Sequence, residues 1–358
     1  MLAATLALTV SFLLAQTRTA KTLDIYFVDT EGGQATLVVS PSGESAIVDT
    51  GNPGGRDTDR IMAAVSDAGL TRIDYVVLTH YHGDHVGGLP ELVKRIPIRH
   101  FIDHGPTVEK EQVAGFQVAY ADLYSKASHT VVEPGDKVPI AGLDWLIVSA
   151  AGQVLDKPLP GAGIQNPSCA SFKPREPRDT SHDENAQSTG SLITFGRFRM
   201  IDLGDLLWNN EFDLMCPSNR IGTVDLYLTS HHGLELSGSD VLVHGLQPRV
   251  AIMNNGTRKG GTVQALQILH RSPRLEDLWQ LHWSYHGRVE LNAPGLFIAN
   301  IDDPAALATV LAAPPASPPA ANAAHTPAYW LKVSAQQNGT FAVTNSRNGF
   351  SKTYTARN

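Results

Sequence analysis

Ile73-Asp74-Tyr75-Val76-Val77-Leu78-Thr79-His80-Tyr81-His82-Gly83-Asp84-His85 carries the strongest signal in the chain. Its first six residues form a largely apolar run, as expected of a strand buried on both faces. The run ends in four potential metal ligands within six positions: His80, His82, Asp84 and His85. A strand end followed by a tight loop aims several side chains into one cavity. Neutral imidazoles and carboxylates suit zinc, manganese or iron. His80 and His82, two apart, share one side of an extended segment. Asp84 and His85, at the start of the next helix, reach a second ion nearby. Gly83 and Gly87-Gly88 are expected to let the backbone turn sharply. Tyr81 reads as packing rather than chemistry.

Working outward, residues 23–28, 35–39 and 45–48 read as strands, with Asp49-Thr50-Gly51 closing the third. Residues 57–68 have helical spacing, with Gly69 as the stop. Residues 191–195 and 198–203 pair around Gly196-Arg197, and strands follow at 224–228 and 250–253, separated by a helix at 240–246. Strands first, then helices interleaved with strands through both halves, predict a layered α/β sandwich. Residues 1–20 read as a signal peptide, because the apolar core is too short for a comfortable membrane span. The main domain is expected over 21–303. An Ala/Pro-rich linker follows over 304–327, and 328–358 is expected to form a β-hairpin docked on the main domain.

The segment His80-Tyr81-His82-Gly83-Asp84-His85 resembles the H-x-H-x-D-H signature of the metallo-β-lactamase superfamily. It is most similar to the hydrolase domain of bacterial DNA-uptake (competence) channel proteins and their soluble relatives. The resemblance implies a four-layer αβ/βα sandwich with a two-metal site along one edge of the sheets, filled by zinc or by manganese or iron. It implies that Asp49, in Ile47-Val48-Asp49-Thr50-Gly51, orients a ligand. The metal-bridging carboxylate falls on Asp205 and the last motif on His231-His232-Gly233, with His231 favoured as the ligand and the other histidine left for catalysis beside Asp84. Many members place a further histidine where this chain has Asn185-Ala186-Gln187-Ser188. His182, just upstream, is the alternative for completing the first metal's shell.

The loop Asn254-Asn255-Gly256-Thr257-Arg258-Lys259-Gly260-Gly261 offers backbone amides and two cations to an anionic group. Arg258 and Lys259, with Asn185 and Ser188, are the substrate-binding candidates. His104, His282 and His286 are either pocket-wall residues or hydrogen-bonded structural histidines. The formal charge of −7 disfavours long duplex nucleic acid as a partner, and a small or oligomeric anionic substrate fits better. The resemblance, with the anion-binding loop, implies a hydrolase attacking phosphoesters or phosphodiesters. Cyclic ester or amide hydrolysis, on lactones or β-lactams, is the alternative chemistry. A non-catalytic metal-binding scaffold of the envelope is the third reading. The leader places the protein in the periplasm or outside the cell, with no membrane span after cleavage. Cys169 and Cys216 either pair in that oxidising compartment or stay free and buried.

Overall fold

The computed structural model describes residues 21–109, 120–301, 304–312 and 327–356. The expected leader lies outside these residues, as does 313–326 of the expected linker.

Two sheets of nine strands face each other. The first runs Ser351–Tyr354, Phe341–Asn345, Leu331–Ala335, Leu23–Phe27, Thr36–Val39, Ser45–Val48, Ile73–Val77, Ile98–Asp103, Ser128–Val131. The second runs Ile298–Asn300, Asp277–His282, Val250–Met253, Leu226–Leu228, Phe198–Asp202, Gly190–Phe195, Asp144–Ala150, Lys137–Val138, with Gln153–Val154 also paired to Asp144–Ala150.

The layering follows from period-two alternation. Leu23, Ile25 and Phe27 point inward to a core shared with Trp145, Ile193, Met200 and Trp279 of the second sheet. Tyr26 and Val28 point the other way, against Ile61, Ala64 and Val65 of the helix Gly55–Asp67. On the far side, Ile201, Tyr227 and Ala251 pack on the helices Trp208–Met215, Asp240–Leu246 and Val263–His270. Helix, sheet, sheet and helix make the four-layer α/β sandwich that the sequence predicted.

The C-terminal segment holds the hairpin of Leu331–Ala335 and Phe341–Asn345 and carries one strand more. Leu331–Ala335 pairs with Leu23–Phe27, and a third strand, Ser351–Tyr354, follows Phe341–Asn345. Phe341, Val343 and Tyr354 fill the core between the sheets, and the Tyr354 hydroxyl donates to Asp277 at 2.7 Å. The first part of the expected linker is also ordered, as the helix Pro304–Ala312. Its run of alanine, leucine and valine has few helix breakers after the first-turn proline.

Ser45–Val48, Ile73–Val77 and Ile98–Asp103 are parallel neighbours. So are Phe198–Asp202, Leu226–Leu228 and Val250–Met253 in the second sheet. The C-terminal ends of both sets open on one edge, where Asp49, the His80–His85 loop, Asp205, His231-His232 and the 254–261 loop all lie.

Candidate metal centre

Asp205 lies three residues beyond the end of Phe198–Asp202, and its Oδ2 is the meeting point of the site. Nε2 of His85 and of His231 lie 3.3 Å from it, Nε2 of His232 at 3.5 Å and Nε2 of His80 at 3.9 Å. Asp84, His85, Asp205 and His232 each offer one ligand atom within 4.8 Å of the others. His80 and His82 form a second, smaller group, with His80 Nε2 and His82 Nδ1 3.0 Å apart. His80, His85 and His232 are fully buried, whereas His82 and Asp84 keep about a quarter and a fifth of their side chains in solvent. The site is therefore closed behind and open on one side.

Asp49 sits beneath. Its Oδ2 takes His85 Nδ1 at 2.7 Å and the Thr79 hydroxyl at 2.6 Å, while its Oδ1 accepts the Thr79 N–H at 2.8 Å. A carboxylate on Nδ1 fixes the ring of His85 and aims its Nε2 into the cluster. That nitrogen meets His232 Nε2 at 3.3 Å and two carboxylate oxygens, an arrangement held together by a cation, whether a proton on the ring or a metal ion. Burial would lower His85, yet Asp205, Asp84 and Asp49 lift its pKa well above the ordinary imidazole value. Burial would likewise raise Asp84 and Asp205, but the surrounding histidines hold both below the usual carboxylate range. Burial lowers His80 well below the ordinary value. Asp205 Oδ1, buried, has no hydrogen-bond partner among the described residues. Donor set, convergent nitrogens and orphaned oxygen together fit a divalent cation. Replacing Asp49 with alanine should lower the affinity of the four-residue cluster for Zn(II) about 10- to 100-fold. Equilibrium dialysis would read this, and unchanged affinity would exclude the orienting role.

Of the adjacent pair, His232 joins the four-residue cluster, while His231, the favoured ligand, meets the same carboxylate with its Nε2 3.3 Å from Oδ2. Both residues have left-handed backbones (φ 57° and 54°), which turn the two rings to different sides of Asp205. Ser188 is buried, and its Oγ accepts the Asp205 backbone N–H at 3.2 Å, which fixes the main chain that bears the carboxylate. Arg258 lies over the Tyr285 ring, 5.5 Å from its centre. Lys259 forms an ion pair with Asp84 at the open side of the cluster. Asn185 opens a 3-10 turn, and its buried Oδ1 has no partner among the described residues. His182 is exposed and stands apart from the cluster. His104 and His282 are buried structural histidines, held by Glu184 at 2.8 Å and Asp29 at 2.6 Å. His286 is bonded to the Arg258 carbonyl. Gly87 and Gly88 have ordinary helical φ; their need is space, since a Cβ on Gly88 would lie 2.1 Å from the Thr50 carbonyl.

Three carboxylates escaped the sequence reading. Glu109 faces His82 Nε2 at 3.2 Å. Glu184 accepts the Tyr81 N–H at 3.0 Å and the Thr107 hydroxyl at 2.8 Å, clamping the ligand loop to its neighbour. Glu211, buried on the helix Trp208–Met215, accepts the N–H groups of Gly238 and Ser239 at 2.6 and 2.8 Å. It thereby fixes the turn bearing Ser237, which touches His231 Nδ1 at 3.3 Å. Glu184 lies one residue before the Asn185 turn, the nearest thing to a signal. The other two meet their partners 27 residues away along the chain, beyond any local pattern.

Burial pushes Glu211 from its ordinary 4.5 up to about 7, against the two backbone donors. The native state therefore keeps this proton longer than the unfolded chain. That contribution is fully present below about pH 4.5 and lost as pH rises through about 7, a change of roughly 3 kcal/mol. Glu211→Gln should remove this part of the pH dependence. Urea unfolding at about pH 5 and about pH 8.5 would show it, and parallel slopes for variant and parent would rule it out.

The metallo-beta-lactamase superfamily profile matches residues 28–161. Among curated proteins, the atrochrysone carboxyl ACP thioesterase of Aspergillus terreus is 40% identical over 65 residues, 18% of this chain and 20% of that protein. The hydroxyacylglutathione hydrolase of Rhodopseudomonas palustris is 33% identical over 96 residues, 27% of this chain and 31% of that protein. The chain thus matches less than a third of the length of these relatives. Among solved structures, the metallo-beta-lactamase fold protein YhfI of Bacillus subtilis has a TM-score of 0.44 at 11% identity, covering 72% of this chain and 95% of that one. Zn(2+)-bound PqqB from Methylobacterium extorquens has a TM-score of 0.41 at 13% identity, covering 65% and 89%.

Proposed function

From the metallo-beta-lactamase superfamily, supported by the profile match over residues 28–161 and by the fold, we propose that this chain is a metal-dependent hydrolase acting on phosphoesters or phosphodiesters. The observation that carries the hydrolase reading is the convergence of four imidazole nitrogens on Asp205 Oδ2. A pair of divalent cations at such a site supplies an ionised water at neutral pH and polarises the scissile group.

The protein's own part is positioning. Asp49 locks His85 and Ser188 locks Asp205. Buried His80, His85 and His232 keep bulk water from the rear of the site, where a lower dielectric strengthens every charge contact. The opening is bordered by His82, Asp84, Glu109 and Lys259. Lys259, with 39% of its side chain exposed, can release Asp84 and meet an anionic substrate there, which supports the phosphoester choice.

A second reading, hydrolysis of acyl substrates such as thioesters, lactones or β-lactams, is favoured by relatives described as a thioesterase and a hydroxyacylglutathione hydrolase. A panel of aryl phosphodiesters, thioesters, lactones and β-lactams with zinc- or manganese-loaded protein separates the two. Turnover of the phosphodiester supports the proposal. Turnover of acyl substrates alone overturns the phosphoester choice, and turnover of none overturns the hydrolase reading.

Within the superfamily, kinship with the DNA-uptake hydrolase domain is supported by Asn185 and Ser188 in the slot of the missing histidine. Export to the periplasm or beyond is supported by the apolar start of the chain and by the disulfide between Cys169 and Cys216. Among the described residues, no helix is long and apolar enough to cross a membrane.

A further inference from the structure

We propose that a cavity beside the His80–His85 loop is a second binding site, which takes a small aromatic carboxylate and anchors its acid group on the imidazole of His129.

The cavity has a volume of about 300 Å³, at the lower end of the range for small-molecule sites. Its wall includes Tyr81, Asp103, Tyr120, Tyr124, His129 and Val131. Of these, only Tyr81 belongs to the loop that carries the metal ligands. The rings of Tyr81 and Tyr124 each stand 6.1 Å from that of Tyr120, so one side of the cavity is aromatic. Another flat ring packs well on such a surface. Val131, on the edge strand Ser128–Val131, leaves 52% of its surface in solvent. A bound apolar body would shield it.

Asp103 sets the polar end. Fully buried, it accepts the Gly105 N–H on Oδ1 at 2.9 Å, and meets the Tyr124 hydroxyl and His129 Nε2 on Oδ2 at 2.8 Å each. Burial would raise its pKa, but His129 and the other donors hold it below the ordinary carboxylate value. An ionised carboxylate only accepts, so Nε2 of His129 carries a hydrogen. The other ring nitrogen, Nδ1, has no hydrogen bond among the described residues, and 28% of the side chain is exposed. Tyr124 stacks on the imidazole at 4.1 Å and 6°, which fixes its plane. The bond from Asp103 also lifts the imidazole above its ordinary pKa, favouring the form that carries a hydrogen on Nδ1 as well. An incoming carboxylate gains a charge-assisted bond there while its ring lies among the tyrosines. A cationic ligand would instead meet a carboxylate whose two oxygens are already engaged.

The test is titration calorimetry of the full-length protein with phenylacetate, with 2-phenylethanol (the ring without the charge) and with acetate (the charge without the ring). Phenylacetate should bind with a dissociation constant of about 1 mM or tighter, and both controls at least about tenfold more weakly. His129→Gln, whose amide can still donate to Asp103, should weaken phenylacetate about tenfold and leave 2-phenylethanol unchanged. Ala121→Trp places bulk at an exposed position of the cavity wall and should weaken both aromatic ligands. Far-ultraviolet circular dichroism would confirm that both variants fold. Phenylacetate bound with parental affinity by both variants would put the acid at the metal centre and overturn the proposal. Acetate bound as tightly as phenylacetate, or no binding of phenylacetate to the parent, would overturn it as well. None of these outcomes bears on the hydrolase reading.

Discussion

Asp205→Asn is expected to lower turnover of whichever substrate the panel identifies by about three orders of magnitude and to strip the site of metal. The side chain would stay nearly isosteric, so the fold should persist. What disappears is the negative charge at the point where Nε2 of His80, His85, His231 and His232 converge. One preorganised charge in a dry site contributes roughly 4 kcal/mol to a transition state, which is the stated factor in rate. Loss of the carboxylate should also be visible without any substrate, as a fall in bound Zn(II) by elemental analysis. A variant that retained both full metal content and more than about a tenth of the parental rate would show that Asp205 is not the bridging group.

Removing the Cys169–Cys216 disulfide should lower stability by about 4 kcal/mol. The two cysteines are 47 residues apart, and closing a loop of that length restricts the unfolded chain by about this amount in the chain-entropy account. The crosslink joins the turn Pro167–Ser171 to the end of the helix Trp208–Met215. The double variant Cys169→Ala/Cys216→Ala should therefore unfold at clearly lower urea while keeping its metal content when folded. A loss below about 1 kcal/mol would show that the loop is already constrained in the unfolded state. The same helix carries Glu211 and follows Asp205, so activity should fade at lower urea than in the parent.

Much of this centre could be read from local pattern. A buried parallel strand ending in His80, His82, Asp84 and His85 is a signal contained within thirteen residues. Asp49 immediately follows a strand and Asp205 lies in the turn three residues beyond one, so their place at the open edge followed from strand recognition. The choice between His231 and His232 was not legible, because it depends on two left-handed backbone turns that no side-chain pattern announces. That the Ser188 oxygen accepts the Asp205 N–H was not legible either, because the two residues meet across 17 positions outside any periodic pattern. Glu184 reaches Tyr81 across 103 residues, and contacts of that span carry no periodicity. The third C-terminal strand, Ser-Lys-Thr-Tyr, has only Tyr354 buried, too little alternation to stand out. Helix Pro304–Ala312 was hidden by its composition, since alanine-rich sequence reads equally as spacer and as helix.

The four-ligand cluster draws Asp84 and His85 from the first sheet's loops and Asp205 and His232 from the second's. An ion seated there is a rivet through the seam of the sandwich. Every tenfold excess of free ion over its dissociation constant would add about 1.4 kcal/mol against the parting of the two halves, so a chelator would act on this molecule as a denaturant as well as an inhibitor.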